Sequence, residues 1–264
     1  SRYAVLKRAI ASTISLSAIH KPFRILEIGV HHADRAVEMI NHATAIGRTH
    51  VDYFGFDLFG SWTPSVNEVE KGKAARPLSV REVVTKLTTK TKAKSVTLQE
   101  GDSKRTLPDN VKSLPRMNVI FLDGGHSLET VKSDLLTALP ALAQGGVLVL
   151  DDYYEDSPDT GCGPVLSLLP EGWHWAIAKE RDVFPGVGAI RMVVASVDES
   201  KVKRVAGTED TKRHAGILAG GTVEHGDNSA DVSAVELCGD DVPVGVAGDP
   251  LSDFDSGGRR VTGL

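Results

Sequence analysis

The chain has 264 residues, 41% hydrophobic and 25% charged, a composition typical of a folded globular protein. This length predicts one large domain, or one domain with an appendage. The net charge of -5 argues against nucleic acid and anionic membranes as partners. The two cysteines, Cys162 and Cys238, form no disulfide framework, and the sequence has no run long enough to span a bilayer, so we expect a cytoplasmic protein.

Strands and helices alternate along the first two thirds of the chain. Apolar residues at helical spacing predict helices at 3–19, 34–46 and 128–142, the last closing near Pro140. Short apolar runs predict strands at 23–30, 51–59, 95–103, 118–125 and 145–153. Two further runs, 173–180 and 188–197, predict a pair of strands at the sheet edge, at least one of them antiparallel. The sequence therefore predicts an α/β fold with a doubly wound, mostly parallel, seven-stranded sheet and helices on both faces.

Two regions stand apart from this alternation. Residues 60–95 form a long connection with a predicted helix, which Ser79 and Glu82 begin as a capping box. Its lysines at 86, 90, 92 and 94 are interpreted as a solvated face, with an anion-binding patch as the alternative. Residues 200–264 are rich in Gly and Asp, with Phe254 as the only aromatic residue. We expect a domain at 1–199 and a loosely packed or disordered appendage at 200–264.

Acidic residues and glycine turns follow all five predicted parallel strands. They lie at positions 27–29, 57, 101–103, 123–126 and 151–152. In a doubly wound sheet, ligands bind beyond the carboxyl ends of the strands. One such acid is often only a helix cap or a solvated loop residue. Five strand ends with the same character predict a shared acidic rim around a binding site.

Several of these motifs resemble one enzyme family. EIGVHHA at 27–33 resembles the E-x-G-x-x-x-G loop of class I S-adenosylmethionine-dependent methyltransferases, with Ala33 in place of the last glycine. YFGFD, GDS and DGGHS followed by GGVLVLDDY resemble the later strands of that family. Between residues 24 and 197 the sequence is most similar to metal-dependent O-methyltransferases of small molecules, including those acting on macrolide sugars. The resemblance implies a Rossmann-like methyltransferase sheet and methyl transfer to a hydroxyl.

The residues at the first three strand ends are predicted to bind S-adenosylmethionine. Gly29 allows the backbone to approach the cofactor closely. Asp57 is placed to accept hydrogen bonds from ribose hydroxyls. Asp102 and Ser103 are predicted at the adenine edge. Glu27 either touches the cofactor or only caps the following helix through the backbone.

Asp123, Asp151 and Asp152 are predicted to bind a divalent metal. Three neighbouring carboxylates repel one another unless a cation neutralises them, and oxygen ligands suit Mg²⁺ or Mn²⁺. In the enzymes that this chain resembles, such a cation binds and activates the acceptor hydroxyl. The alternative is that Asp152 caps a turn and Asp151 alone faces the site.

His126, with Asp123 beside it, is the predicted catalytic residue. Gly124 and Gly125 permit a tight turn between them, and imidazole titrates near neutral pH. The Asp-x-x-His enzymes of the family use this histidine as the base, although His126 alternatively caps the next helix. His31 and His32 flank the cofactor loop.

Three aromatic residues, Trp62, Tyr153 and Tyr154, line a pocket or serve only packing. We therefore expect an O-methyltransferase that acts on a hydroxyl of a small molecule. The sequence leaves the oligomeric state open, with a homo-oligomer as one option. The alternatives are a nicotinamide-dependent oxidoreductase on a similar sheet, against which the missing G-x-G-x-x-G spacing counts, and a non-catalytic cofactor-binding or assembly module.

Overall fold

The structure is a computed structural model that describes residues 1–13, 21–70, 76–157 and 160–214 and two short strands near the C-terminus. The helices are α1 Ala4–Ser12, α2 Asp34–Ala45, α3 Pro64–Glu70, α4 Val80–Lys90, α5 Ser103–Asn110, α6 Leu128–Ala138 and α7 Glu199–Ala206. The strands are β1 Phe23–Ile28, β2 Val51–Asp57, β3 Ser95–Glu100, β4 Met117–Leu122, β5 Leu142–Tyr154, β6 His174–Phe184, β7 Gly188–Ser196, β8 Lys212–Arg213, β9 Asp253–Phe254 and β10 Arg260–Gly263.

All strands join one sheet in the order β8-β6-β7-β5-β4-β1-β2-β3-β10-β9. Strands β1 to β5 are mutually parallel, and β7 is antiparallel to both β5 and β6. The predicted doubly wound, mostly parallel fold with an antiparallel edge pair is confirmed. The predicted count of seven is too low, because β8 extends one edge and β10 and β9 extend the other. These strands of two to four residues are too short to give a sequence pattern.

The central strands are buried on both faces, which explains their continuous apolar runs. One face carries Ile25 and Phe121 against helices α1, α2, α4 and α7, and the other carries Leu26 and Ile120 against α5 and α6. Successive strand residues thus alternate between two cores. Since β1 lies between β4 and β2, the strand order reverses beside it, and the ends of β1 and β4 form the edge where ligands bind in such sheets.

The long connection between β2 and β3 contains two helices. The predicted capping box is present at α4, where Ser79 and Glu82 bond each other's backbone amides. Lys90, Lys92 and Lys94 are exposed, in agreement with the solvated-face interpretation, whereas the partly exposed Lys86 has its Nζ 2.6 Å from Asp34 Oδ1 and 2.6 Å from the His32 carbonyl oxygen. The preceding helix α3 has no counterpart in the sequence prediction.

Helix α7 begins where the predicted appendage should begin. Its residues Val202, Val205 and Ala206 are fully buried against the main core, and Arg8 Nε donates to the Val205 carbonyl at 2.7 Å. Residues 199–206 therefore pack as part of the domain. Residues 215–250, with most of the predicted appendage, lie outside the described residues. Within the described part of the chain, no helix has the length and apolarity to cross a membrane.

Candidate active site

The loop after β1 passes closely under the tip of β4. Gly29 has a φ of +92°, and a Cβ at this position would lie 1.9 Å from the Asp123 carbonyl oxygen. Only glycine fits there, both for its left-handed backbone and for the missing side chain. This contact brings the cofactor loop and the tip of β4 together.

Ala33 replaces the family's glycine at a position where the backbone is left-handed. Its φ is +59°, in the left-handed region, and its side chain is fully buried at the start of α2. A non-glycine residue there costs roughly 1–2 kcal/mol of backbone strain. The loop keeps the glycine-type conformation despite the substitution.

Asp57 holds the cofactor loop at the end of β2. Its Oδ2 accepts a hydrogen bond from the His31 amide at 2.6 Å, and its Oδ1 accepts one from the Phe59 amide at 3.2 Å. Each carboxylate oxygen retains acceptor capacity beyond one such bond. Asp57 therefore positions the loop and still faces the cavity.

Glu27 is fully buried below the same loop. Tyr53 donates its hydroxyl to Glu27 Oε2, and Glu27 Oε1 has no partner among the described residues. Burial is the main reason that the pKa of Glu27 is raised to about 8. The alternative that Glu27 caps α2 through the backbone is wrong, because Glu27 lies inside β1, paired with β2 and β4, and Ala33 is the N-cap of α2.

Asp102 and Ser103 lie at the end of β3 and line the same cavity. Asp102 is the N-cap of α5, and its Oδ1 accepts from the Lys104 amide at 3.0 Å. This side chain thus has a structural role besides the predicted contact at the adenine edge.

The tip of β4 carries Asp123 and His126, and both line the cavity. The alternative that His126 caps α6 is wrong, because Ser127 is the N-cap and accepts from the Thr130 amide. Glu70, the last residue of α3, accepts from the Ser127 amide at 3.1 Å and from the Thr130 hydroxyl at 2.7 Å. Its carbonyl also accepts from the His126 amide at 3.2 Å, so α3 fixes the turn before α6.

A β-bulge in strand β5 includes Asp151 and Asp152. Between Leu150 and Tyr153 strand β5 has one residue more than its partner β7, and Asp152 has a φ of +59°. Bulges redirect side chains, and left-handed non-glycine residues concentrate at functional sites. Asp152 lines the main cavity, whereas Asp151 turns toward Arg2.

Asp152 binds the imidazole of His126, whose Nε2 lies 2.8 Å from Asp152 Oδ2. The Tyr154 hydroxyl lies 3.2 Å from the other ring nitrogen, Nδ1. Burial alone would lower the pKa of His126, but the hydrogen bond and charge of Asp152 outweigh it and raise that pKa. Burial would conversely raise the pKa of Asp152, and the bond to His126 leaves it lowered.

Asp123 has no comparable partner. Its carboxylate makes no hydrogen bond or ion pair with the described residues. Burial, followed by the negative charges of Asp151, Asp152 and Glu27, raises its pKa well above the ordinary value. It lines the cavity between the cofactor loop and His126.

The three carboxylates predicted as metal ligands do not fit that role together. Asp151 is fully buried and receives two hydrogen bonds from Arg2, Nε to Oδ1 at 2.7 Å and Nη2 to Oδ2 at 2.9 Å. The Asp152 amide donates a third bond to Asp151 Oδ1 at 2.8 Å. Among the described residues, no group of three His, Cys, Asp or Glu side chains is arranged to hold a metal ion.

Asp57, Asp123, His126 and Asp152 all line one cavity of about 600 Å³. Of the two alternatives left open for Trp62, a pocket wall or packing alone, the structure has the first, and His31 and His32, whose rings lie 4.0 Å apart, line the same cavity. Tyr153 instead packs against the core on the α6 face of the sheet.

The cavity wall includes residues that the sequence does not predict for the site, among them Arg2, Tyr3, Glu70, Asp182 and Phe184. Arg2 and Asp151 are 149 positions apart, and nothing local marks their contact.

The model of a methyltransferase domain family matches residues 23–153 of this chain. No curated protein matches it significantly in sequence. Similar solved structures include cofactor-bound Rv0187 from MTB, with 15% identity, coverage of 75% of this chain and 80% of that chain, and a TM-score of 0.47. The O-methyltransferase TomG from Streptomyces achromogenes has 15% identity, coverage of 74% and 79%, and a TM-score of 0.46. The O-methyltransferase NovP has 20% identity, coverage of 60% and 67%, and a TM-score of 0.47.

The family match spans strands β1 to β5 up to Tyr153, the part of the chain that supplies the predicted cofactor and strand-end residues. The predicted resemblance to class I S-adenosylmethionine-dependent methyltransferases is therefore confirmed, since residues 23–153 match the model of a methyltransferase domain.

Proposed function

We propose that this protein transfers a methyl group from S-adenosylmethionine to a hydroxyl of a small molecule. One observation carries the proposal: a single cavity is lined by the predicted cofactor residues Gly29 and Asp57 and by the acid and base residues Asp123 and His126. Its volume of about 600 Å³ is in the usual range of small-molecule sites.

The cofactor side of the cavity fits S-adenosylmethionine chemically. The backbone at Gly29 is free of a side chain, and Asp57 faces the cavity with remaining acceptor capacity. Glu27 Oε1 is buried and unpartnered among the described residues, so it is an acceptor for an N–H group of the cofactor. An unsatisfied buried acceptor costs free energy until a ligand supplies a donor.

S-adenosylmethionine held beside Gly29 and Asp57 would supply an activated methyl group to an acceptor oxygen and would leave as S-adenosylhomocysteine. The proton of the acceptor hydroxyl must then pass to a base of the protein. His126 is the proposed base, because Asp152 binds its Nε2 side and stabilises the protonated ring. Tyr154 at Nδ1 is placed to exchange a proton with the same ring. Asp123, which lines the cavity beside it, is proposed to orient the acceptor.

Cofactor binding is tested by titrating S-adenosylhomocysteine into the protein by calorimetry. Asp57→Ala should reduce the affinity by about tenfold to hundredfold, the equivalent of roughly 1.5–3 kcal/mol for a charge-assisted hydrogen bond. NAD⁺ should not compete with S-adenosylhomocysteine for binding to the protein. Tight NAD⁺ binding without S-adenosylhomocysteine binding would favour the oxidoreductase alternative.

The base is tested with methyl transfer from labelled S-adenosylmethionine to a panel of catechols and polyols. His126→Ala should slow transfer by about 10²–10⁴-fold while leaving S-adenosylhomocysteine affinity nearly unchanged. The matched control is His50→Ala, since His50 forms a similar pair with Asp52 at 3.0 Å next to the opposite end of the strands. Cofactor binding without transfer to any acceptor would favour the non-catalytic module.

A further inference from the structure

The guanidinium of Arg2 binds Asp151 and lies 4.0 Å from Asp152, two of the three carboxylates predicted as metal ligands. We propose that Arg2 is the resident cation of this strand-end site and that it excludes a divalent metal, so that methyl transfer here needs no metal. The statement about methyl transfer rests on the proposed function, whereas the contacts of Arg2 that argue against a metal do not depend on it.

Arg2 and Asp151 form a closed pair. The guanidinium binds both carboxylate oxygens at 2.7 and 2.9 Å, and the side chains are 5% and 0% exposed. Bidentate geometry and burial make such a bond strong. With the Asp152 amide also bonded to Oδ1, Asp151 has little acceptor capacity left for a metal.

The other two carboxylates do not form a metal site without Asp151. Asp152 is paired with His126 at 2.8 Å, and its Oδ1 lies 4.0 Å from Arg2 Nη2. Asp123 is the remaining carboxylate. Mg²⁺ requires near-ideal octahedral geometry and is reluctant to lose its water ligands, so it would have to break both existing ion pairs to collect these acids.

Neighbouring groups hold the guanidinium in place. Arg2 Nη1 donates to Asp182 Oδ2 at 3.0 Å, Nη2 donates to the Tyr3 hydroxyl at 3.0 Å, and the Phe184 ring centroid lies 5.8 Å away. These contacts and those to Asp151 use four of the five N–H groups of the guanidinium. The fifth, on Nη1, has no partner among the described residues.

Arg2 also lines the cavity. We therefore assign Arg2 as a positioning residue that neutralises the buried carboxylate of Asp151 beside the cavity.

The test uses Mn²⁺ as the probe, titrated into the full chain and followed by electron paramagnetic resonance. Wild type should bind no Mn²⁺ at millimolar concentrations, and Arg2→Gln should bind it at least about tenfold more tightly because Asp151 is released. Arg2→Lys keeps the charge and should behave like wild type. Arg8→Gln, which removes a similar pair with Glu180 at 2.6 Å, is the matched control and should also behave like wild type.

Adding Asp151→Asn to Arg2→Gln should abolish the gained Mn²⁺ binding. Tight Mn²⁺ binding by wild type would overturn the inference, and so would a folded Arg2→Gln protein that binds no more Mn²⁺ than wild type. If Arg2→Gln does not fold, Arg2→Lys provides the test, because its single ammonium group cannot bind both carboxylate oxygens of Asp151 at once. Mn²⁺ binding at Asp151 in Arg2→Lys would contradict the proposed exclusion of the metal by charge. S-adenosylhomocysteine binding by the same wild-type sample tests the proposed function separately.

Discussion

Gly29 and Asp123 are in direct backbone contact, although they follow different strands, β1 and β4, and are 94 positions apart: a Cβ at Gly29 would lie 1.9 Å from the Asp123 carbonyl oxygen. The turn that is predicted to receive the cofactor and the tip of the strand that carries the acid and base residues therefore cannot move independently. A side chain at Gly29 must displace one from the other.

Gly29→Ala should lower S-adenosylhomocysteine affinity by about tenfold or more, equal to about 1.4 kcal/mol. The control is Gly172→Ala, since Gly172 has a similar φ of +81° but no atom within 4 Å of the added carbon. Both variants pay the left-handed cost of roughly 1–2 kcal/mol in stability, but only Gly29→Ala also distorts the site. Equal calorimetric affinity in the two proteins would contradict the contact.

Ala33→Gly should stabilise the protein by about 1 kcal/mol, because it relieves the strain of a φ of +59°. Ala36→Gly, a fully buried helical position three residues later, should instead destabilise it by about 1 kcal/mol. Urea unfolding of the three proteins measures both changes. A loss of stability in Ala33→Gly would mean that the buried methyl group outweighs the strain.

Glu27 should make stability depend on pH. Its pKa is raised from 4.5 to about 8 in the folded protein, so between these values the folded state holds the proton more tightly than the unfolded state. Stability should therefore fall as pH rises through this window, by up to about 1.4 kcal/mol per pH unit. Glu27→Gln cannot titrate, and its unfolding free energy should fall less steeply than that of wild type.

The control for this measurement is Glu129→Gln, on the exposed side of α6, which should retain the wild-type slope. Identical slopes in wild type and Glu27→Gln would show that the buried carboxyl does not carry the pH dependence.

Asp152 should set the pH dependence of methyl transfer through His126. Only neutral imidazole accepts a proton, and the pKa of His126 lies above its ordinary 6.5, so the rate should rise with pH at a higher pH than an isolated histidine would give. Asp152→Asn removes the negative charge that raises this pKa and should shift the rise to lower pH. A profile that Asp152→Asn leaves in place would exclude His126 as the titrating base.

Truncation separates the packed part of the C-terminal region from the rest. A chain ending at His214 should fold and bind S-adenosylhomocysteine. A chain ending at Ser200 loses the buried residues of α7 and should melt about 10 °C or more lower, given roughly 2 kcal/mol for each buried aliphatic side chain. Equal melting temperatures would mean that α7 adds little to the core.

Much of the fold and part of the site follow from local sequence signals. The apolar runs of β1, β4 and β5 predict their own burial. Asp57 ends β2 and Asp123 directly follows β4, so the parallel strands bring both residues to one edge of the sheet. Helix α5 was missed because Pro108 and polar residues hide its pattern.

The contacts of Asp151 and Asp152 could not be predicted in the same way. Adjacent acids on a regular strand would face opposite sides of the sheet, and the bulge that reorients them depends on pairing with β7. Arg2 reaches Asp151 only because α1 folds back against the sheet, and no spacing in the sequence encodes a contact over 149 positions. The prediction of a metal site uses only the residues at the strand ends, and it does not include Arg2, the cation that the fold brings to Asp151.

The hydrogen bonds between Glu70 and the start of α6 restrict how α3 can be mutated to alter the acceptor selectivity of methyl transfer. Helix α3 contributes Ser65, Val66 and Val69 to the cavity, so it is a natural target for segment exchange or randomised libraries. Yet its last residue also supports the turn beside His126 through the Ser127 and Thr130 bonds. Libraries should therefore vary 65, 66 and 69 and keep the glutamate at 70, because a graft without it would change selectivity and rate together.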